Sequence, residues 1–215
     1  MGNRVAIIDY GMGNIHSVAK ALEFAGGDAV QVSVSHDPEE ILRAERVVLP
    51  GVGAIRDCMA EITRLGLDEV IREAAQSKPF LGVCVGMQAL FEHSEENGGT
   101  PCLGILPGGV HAFATDMNDP ASGTRLKIPH MGWNQVHQCI EHPLWRGIEQ
   151  DTRFYFVHSY YVTPAGDRLT AATTCYPEPF ASAVARDNIF AVQFHPEKSQ
   201  HAGLTLYANF LRWDG

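Results

Sequence analysis

No apolar run in this sequence approaches membrane-span length, and no group of basic residues gathers into a patch. Between Met1 and Asn14 the apolar run is Val5 to Ile8, which ends at Asp9 and is too short for a signal-peptide core. An N-myristoylation signal places Ser or Thr at the sixth position, and here that residue is Ala6. The expected location is the cytosol. Lys and Arg number 16 against 25 Asp and Glu, for a formal charge of -9. Such a balance repels a phosphate backbone, so nucleic acid is excluded as the expected partner.

Cysteine pairs are missing too. Cys58, Cys84, Cys102, Cys139 and Cys175 are odd in number, widely spaced and without a C-x-x-C pair, which indicates neither a disulfide framework nor a zinc site. All but Cys84 read as small core hydrophobes. The ten histidines include no H-E-x-x-H and no Cys/His cluster, so no metal site is expected. No Walker sequence occurs, and Gly11-Met12-Gly13 lacks the third glycine of a dinucleotide fingerprint. Internal repeats and low-complexity tracts are also absent.

What is present, 215 residues with 45% hydrophobic and 19% charged, fits one globular domain across 1–215. Arg4 to Asp9, Ala29 to Val34 and Arg46 to Pro50 read as strands. Between the first two, Ile15, Val18, Ala19, Leu22 and Ala25 share a helix face; Asn14 can cap its start and Gly26-Gly27 end it. This β-α-β opening implies a parallel sheet. Helical patterns at Ala54 to Thr63 and Leu67 to Gln76 lead to a buried-type strand at Pro79 to Val83. After the Gly- and Asn-rich segment following Glu96, strand-like segments are Gly109 to Ala114, Trp133 to His137, Phe154 to Val162, Thr170 to Cys175, Ala181 to Arg186 and Ile189 to Phe194. Asp116 to Arg125 reads as an exposed loop. Ala202 to Trp213 closes as a helix with Leu204, Tyr207, Ala208 and Leu211 on one face. The pattern predicts three α/β layers around a central, mostly parallel sheet, with an antiparallel portion from the second half.

Gly82-Val83-Cys84-Val85-Gly86 places a cysteine between glycines where a strand gives way to a helix, the G-x-nucleophile-x-G pattern of a nucleophile elbow. A thiol there sits at the positive end of a helix, and the Val85 N–H is placed to donate to an oxyanion. Alone, the pentapeptide fits a buried cysteine beside packing glycines equally well. A thiol nucleophile needs a base, and His195 ends the last strand with Glu197 two residues on to orient it. Pro196 holds His195 extended. Both residues leave strands at the carboxyl edge of the sheet, where active sites of such folds lie. A histidine before proline is by itself more often structural, as the other histidines, His93 and His142 among them, are read to be. Pro50-Gly51-Val52-Gly53 is a strand-to-helix turn that can supply a second oxyanion donor, or be an ordinary turn.

Taken together, Pro50-Gly51-Val52-Gly53, Gly82 to Gln88 and Phe194-His195-Pro196-Glu197 resemble class I glutamine amidotransferases in identity, order and spacing. Gly51 to Ala54, His130-Met131-Gly132-Trp133-Asn134, Phe156 to Tyr161 and Gln193 to Gln200 look like the glutaminase subunits of imidazole glycerol phosphate synthases, over nearly the whole chain. The resemblance implies a flavodoxin-like amidotransferase fold, a place in histidine biosynthesis and a separate (β/α)8-barrel cyclase subunit as partner. It further implies that Gln88, Glu96, Ser159 and Tyr160 hold glutamine, that Gly51, Val52 and Gly53 form the oxyanion strand, and that Met12, Gly13 and Asn14 lie near the cyclase.

The mechanism that fits is attack of the Cys84 thiolate on the glutamine carboxamide, with the oxyanion held by Val85 and the Gly51 to Gly53 loop. His195 protonates the departing ammonia and then activates water to hydrolyse the γ-glutamyl thioester, while Glu197 orients the imidazole. No metal or organic cofactor is required. Because glycines flank Val52, its peptide can rotate, so a partner that tips it can switch turnover. Among rivals, the glutaminase of pyridoxal phosphate synthesis is disfavoured by Gly132-Trp133-Asn134 and His158-Ser159-Tyr160. A cysteine hydrolase of the α/β-hydrolase type orders its triad nucleophile, acid, histidine, whereas here the histidine precedes the acid. A non-catalytic binding module differs in having no cysteine selective for a glutamine-like electrophile.

Overall fold

The structure is a computed structural model that describes residues 3–120 and 122–215. Met1 and Gly2, where an acylation signal was sought, lie outside the described residues. The chain opens β1 (Asn3–Ile8), α1 (Ile15–Gly26), β2 (Val30–Ser35), α2 (Pro38–Arg43), β3 (Arg46–Leu49), α3 (Ile55–Arg64), α4 (Asp68–Ser77) and β4 (Phe80–Val83). Strand identities follow composition: β3 and β4 are buried at every position and are built almost wholly of apolar residues. The six-residue α2 was not anticipated, although its signals are local. Asp37 accepts from the Glu39 and Glu40 amides at 2.8 and 3.2 Å, and Pro38 occupies the first turn.

Helix α1 begins where expected, but Asn14 makes no side-chain cap. Its carboxamide instead reaches Glu197, far along the chain. α1 packs against the C-terminal helix, while α2 packs against α4. Right-handed crossovers put these two pairs on opposite faces of the sheet, giving three layers.

After α5 (Val85–Gln88) come β5 (His93–Ser94), β6 (Thr100–Pro101), β7 (Gly108–Ala112), β8 (His130–Gln135), β9 (His137–Gln138), β10 (Arg153–His158), β11 (Tyr160–Pro164), β12 (Thr170–Cys175), β13 (Pro179–Arg186), β14 (Ile189–Val192) and α6 (Gln200–Phe210). The main sheet runs β2-β1-β3-β4-β14-β13-β11-β7-β5-β6. Its first five strands are parallel, β14 having returned from the second half to lie beside β4. Beyond β14 the pairing turns antiparallel through β13, β11 and β7.

Three expectations change. Phe154 to Val162 is two strands, because the chain switches sheets at Ser159: β10 pairs with β8 in a separate ribbon, and β11 joins the main sheet. The His158 ring donates to the Tyr160 carbonyl at 2.8 Å and fixes that break. The buried face of α6 carries Gly203, Leu206, Tyr207 and Phe210, turned from the expected Leu204 and Ala208 because the helix rests on Pro196 at Gly203. Only Cys58 of the four non-elbow cysteines is a core residue; Cys102 is half-buried, and Cys139 and Cys175 are exposed, at strand ends where the edge of the sheet meets solvent. The Asp116 to Arg125 loop is exposed and closed by an Asn118–Arg125 bridge; Ala121 within it lies outside the described residues.

A Cβ added at Gly203 overlaps the Pro196 carbonyl. Gly203→Ala should therefore lower stability by about 1–3 kcal/mol through overpacking, despite alanine's better helix propensity. Urea unfolding of variant and wild type checks this; a stabilised variant would show that the contact is slack.

Candidate active site

The turn after β4 brings Cys84 to the carboxyl edge of the sheet with φ 55° and ψ -113°, a left-handed backbone that a non-glycine residue adopts only when its surroundings enforce it. Those surroundings are specific. The Cys84 amide donates to the Val192 carbonyl at 2.8 Å, and the Cys84 carbonyl accepts from Met87 and Gln88 at 3.0 and 3.2 Å. A Cβ on Gly86 would overlap the Leu49 carbonyl, and one on Gly82 would lie 3.0 Å from the Ala191 Cβ. Both flanking glycines answer to close approach. Cys84 itself is 3% exposed.

β14 delivers His195 to the same edge, with its backbone extended as the following proline requires (φ -104°, ψ 96°) and its amide donating to Tyr155 O at 2.9 Å. His195 Nδ1 donates to Glu197 Oε1 at 2.8 Å, and the two side chains are 2% and 0% exposed. Asn14 Nδ2 donates to the same oxygen at 3.2 Å. His195 Nε2 is buried without a formal hydrogen bond, and the Cys84 sulfur acts on this ring. Burial opposes the imidazolium, but the charge and hydrogen bonding of the Cys84 sulfur, then of Glu197, outweigh it and raise His195 to about 10.

A cavity of about 580 Å³ opens over this pair. Its walls bring together Cys84, Val85, His195, Gln88, Glu96, Ser159, Tyr160, Val52, Gly53, Gly13 and Asn14. Three expected site residues sit behind the wall. Glu197 is fully buried behind His195, Gly51 is wedged among Gly86, Tyr10 and Val85, and Met12 packs on Gly53. The Gln88 amide nitrogen is engaged by Tyr160 O and Gln193 Oε1, both at 3.1 Å, which leaves its carbonyl oxygen as the end available to a ligand. Glu96 Oε2 accepts from the Ile55 amide at 2.8 Å. The carboxylate thus lines the cavity and also caps α3, whose own N-cap residue Ala54 cannot.

The expected oxyanion donors are not both turned to the cavity. The Val85 amide donates to Gly51 O at 3.3 Å, and since the Gly51–Val52 peptide is trans, its Val52 N–H points the opposite way. Neighbouring carbonyls are fixed from below: Tyr10 Oη donates to Pro50 O at 2.7 Å and Cys58 Sγ to Val52 O at 3.5 Å. Tyr10 escaped sequence reasoning, since a tyrosine after a strand carries no chemical motif.

Gln193 escaped notice as an individual residue too. It is fully buried, and its Nε2 contacts Cys84 Sγ at 3.8 Å, so it links the sulfur to Gln88. From Tyr160 O the chain of bonds continues outward through His158 Nδ1, from His158 Nε2 to His130 Nδ1 at 2.9 Å, and from His130 Nε2 to Asn134 Nδ2 at 3.2 Å. Each ring donates from Nδ1 and accepts at Nε2, so both histidines are neutral. Burial lowers His130 to about 4 and, foremost among its causes, lowers His158 to about 3.

The family profile described as glutamine amidotransferase class-I matches residues 6–213, and the chain belongs to the class-I glutamine amidotransferases. Within that family it is similar, at 61% identity over 211 residues, to imidazole glycerol phosphate synthase subunit HisH of Methylococcus capsulatus, covering 98% of this chain and 96% of that one. Subunit HisH 1 of the same synthase from Pseudomonas aeruginosa is 58% identical over 215 residues, covering 100% and 99%. Among solved structures, PurLQS from Thermotoga maritima superposes with a TM-score of 0.74 at 17% identity over 99% of both chains. A glutamine amidotransferase gives 0.71 at 17% identity over 97% of each. At such identities these likenesses speak for the fold.

The neutral His130–His158 chain predicts how stability depends on pH. Both folded values lie below the ordinary 6.5, so between pH 6.5 and 4 the unfolded chain takes up protons that the folded one refuses. The contribution of these two histidines is complete above pH 6.5 and is lost as the pH drops, by about 1.4 kcal/mol per pH unit for each, flattening below their folded values. Urea midpoints at pH 7, 6 and 5 check this, and His158→Asn should shallow the slope. A midpoint independent of pH in this range contradicts the neutral chain.

Proposed function

We propose that this chain is the glutaminase subunit of an imidazole glycerol phosphate synthase, a single glutaminase domain across residues 1–215. The observation that carries this reading is full-length identity of 61% and 58% to two HisH subunits. The subunit hydrolyses glutamine to glutamate and ammonia. A second subunit, a (β/α)8-barrel cyclase, receives the ammonia and makes imidazole glycerol phosphate and aminoimidazole carboxamide ribotide in histidine biosynthesis. The enzyme acts in the cytoplasm; among the described residues no helix is long and apolar enough to cross a membrane.

In this mechanism Cys84 is the nucleophile. Its sulfur attacks the carboxamide carbon of glutamine seated in the cavity between Gln88, Glu96, Ser159 and Tyr160. His195, held as imidazolium by the sulfur and by Glu197, carries the proton that ammonia needs to depart. The neutral ring then takes a proton from water, and hydroxide cleaves the thioester. Glu197 fixes the ring through Nδ1, which leaves Nε2 for both transfers.

The oxyanion sets the control point. With the Val85 amide held by Gly51 O, the tetrahedral intermediate lacks its donors until the Gly51–Val52 peptide turns over. That rotation frees Val85 N–H and brings Val52 N–H inward together. A partner docking around Met12, Gly13 and Asn14, beside Gly53, is well placed to drive it. Glutamine hydrolysis is then withheld until an acceptor for ammonia is bound.

Cys84→Ala in the two-subunit complex should abolish glutamine-dependent synthesis and leave synthesis from an ammonium salt intact. Loss of both would remove the assigned role. On the same assay His195→Ala should be nearly inactive and Glu197→Gln intermediate, since orientation supports proton transfer and does not replace it.

Turnover of the free subunit should be low and should rise with the cyclase, most with its nucleotide bound, by roughly 10²-fold or more, the worth of an oxyanion donor. Steady-state glutamate formation in the free, complexed and nucleotide-loaded states checks this. A change confined to the Michaelis constant means a permanently assembled oxyanion hole.

A further inference from the structure

The triad carboxylate has one oxygen accounted for and one not. Glu197 Oε1 accepts from both His195 Nδ1 and Asn14 Nδ2. Oε2 is buried and has no partner among the described residues. A buried carboxylate oxygen without a partner is costly, and native structures rarely keep one. The Tyr207 hydroxyl is in the same position: fully buried on α6, with no partner among the described residues.

Helix α6 packs against the turn that carries Glu197. Gly203 rests on the Pro196 backbone so closely that a Cβ would overlap the Pro196 carbonyl. Tyr207 lies four residues further on the same helix face, the face that packs on the turn Pro196–Lys198, and the Glu197 charge acts on its phenol. We propose that Tyr207 Oη donates to Glu197 Oε2 across one water, and that Tyr207 is a positioning residue of the triad. Burial and then the Glu197 charge hold the phenol protonated, well above its usual range, so it is available only as a donor. The inference rests on the reading of Glu197 as the partner of a catalytic His195. Its consequence is electrostatic. Cys84, Glu197 and His158 are the titratable groups acting on His195, and Asn14 and Tyr207 are the donors around Glu197. A donor on Oε2 disperses part of the charge facing the imidazolium and fixes the carboxylate in place, so its loss leaves a more basic, less ordered carboxylate and His195 gives up its proton at higher pH.

The test is Tyr207→Phe in the two-subunit complex, which keeps the ring and removes the hydroxyl. Glutamine-dependent kcat should fall roughly three- to tenfold with KM within about twofold, as befits one hydrogen bond to a charged group. The basic limb of the kcat/KM profile should move up by about half a pH unit or more. Synthesis from ammonium should stay unchanged. An unshifted limb with unchanged kcat overturns the proposal. A wild-type crystal structure that separates Tyr207 Oη from Glu197 Oε2 by more than one water can bridge, about 5.5 Å, does so independently of how the variant folds. If Cys84→Ala retains glutamine-dependent synthesis, the triad reading itself has failed; if it does not and only the Tyr207→Phe profile is unmoved, the failure is confined to Tyr207.

Discussion

The Cys84 amide bonded to the Val192 carbonyl is the contact on which the site depends. It extends the parallel ladder of β4 and β14 by one rung, past Val83 and Val192, to the residue where β4 stops being a strand. On one side of that rung the chain turns sharply into α5; on the other, Gln193, Phe194 and His195 continue towards the proposed base. Two segments far apart in sequence are thereby held in fixed register. A slip of one residue between β4 and β14 would turn the ladder's side chains to the opposite face and dissolve the cysteine–histidine pair. The antiparallel addition of β13 beyond β14 covers what would otherwise be an edge, so the strand that carries His195 is paired on both sides.

Around this frame the proposed oxyanion strand is held on either side of one peptide. Tyr10 holds the Pro50 carbonyl, Cys58 holds the Val52 carbonyl, and Glu96 holds the Ile55 amide. The Gly51–Val52 peptide between the two held carbonyls relies on a 3.3 Å bond from the Val85 amide. Rotation of a single peptide between two fixed carbonyls changes the polarity of the cavity wall and leaves the course of the chain unchanged. Side-chain bulk is excluded from the pivot, since a Cβ on Gly51 would press on Gly86, Tyr10 and Val85.

The β-α-β beginning and the glycine-flanked cysteine were legible because each rests on a local rule of periodicity or backbone freedom. So was the pairing of His195 with Glu197 across a proline. What was not legible depends on tertiary placement. Asn14 has the composition of a helix cap, yet its carboxamide turns to Glu197 because that bond forms in a buried setting. Gln193 follows an apolar strand with nothing to mark it, and becomes notable only once its neighbours are Gln88 and Cys84. Tyr207 scans as one more apolar face residue. The break at Ser159 leaves no trace in the alternation of Phe154 to Val162, since both halves are genuine strands that merely serve different sheets. The face of α6 differs from the expected Leu204, Tyr207, Ala208 and Leu211 for a related reason: Gly203, with no side chain to mark it, is the residue that rests on Pro196.

Cys84 carries its left-handed backbone at a cost of order 1–3 kcal/mol for a residue with a Cβ. Glycine would sit there without strain, and the surrounding bonds to Val192, Met87 and Gln88 involve only main-chain atoms that glycine also has. The residue best suited to the backbone is therefore one with no chemistry to offer. If Cys84 is the nucleophile proposed above, the single exchange that inactivates the enzyme also relieves this backbone strain. On that proposed role, the strain at this turn is borne for the sake of the thiol.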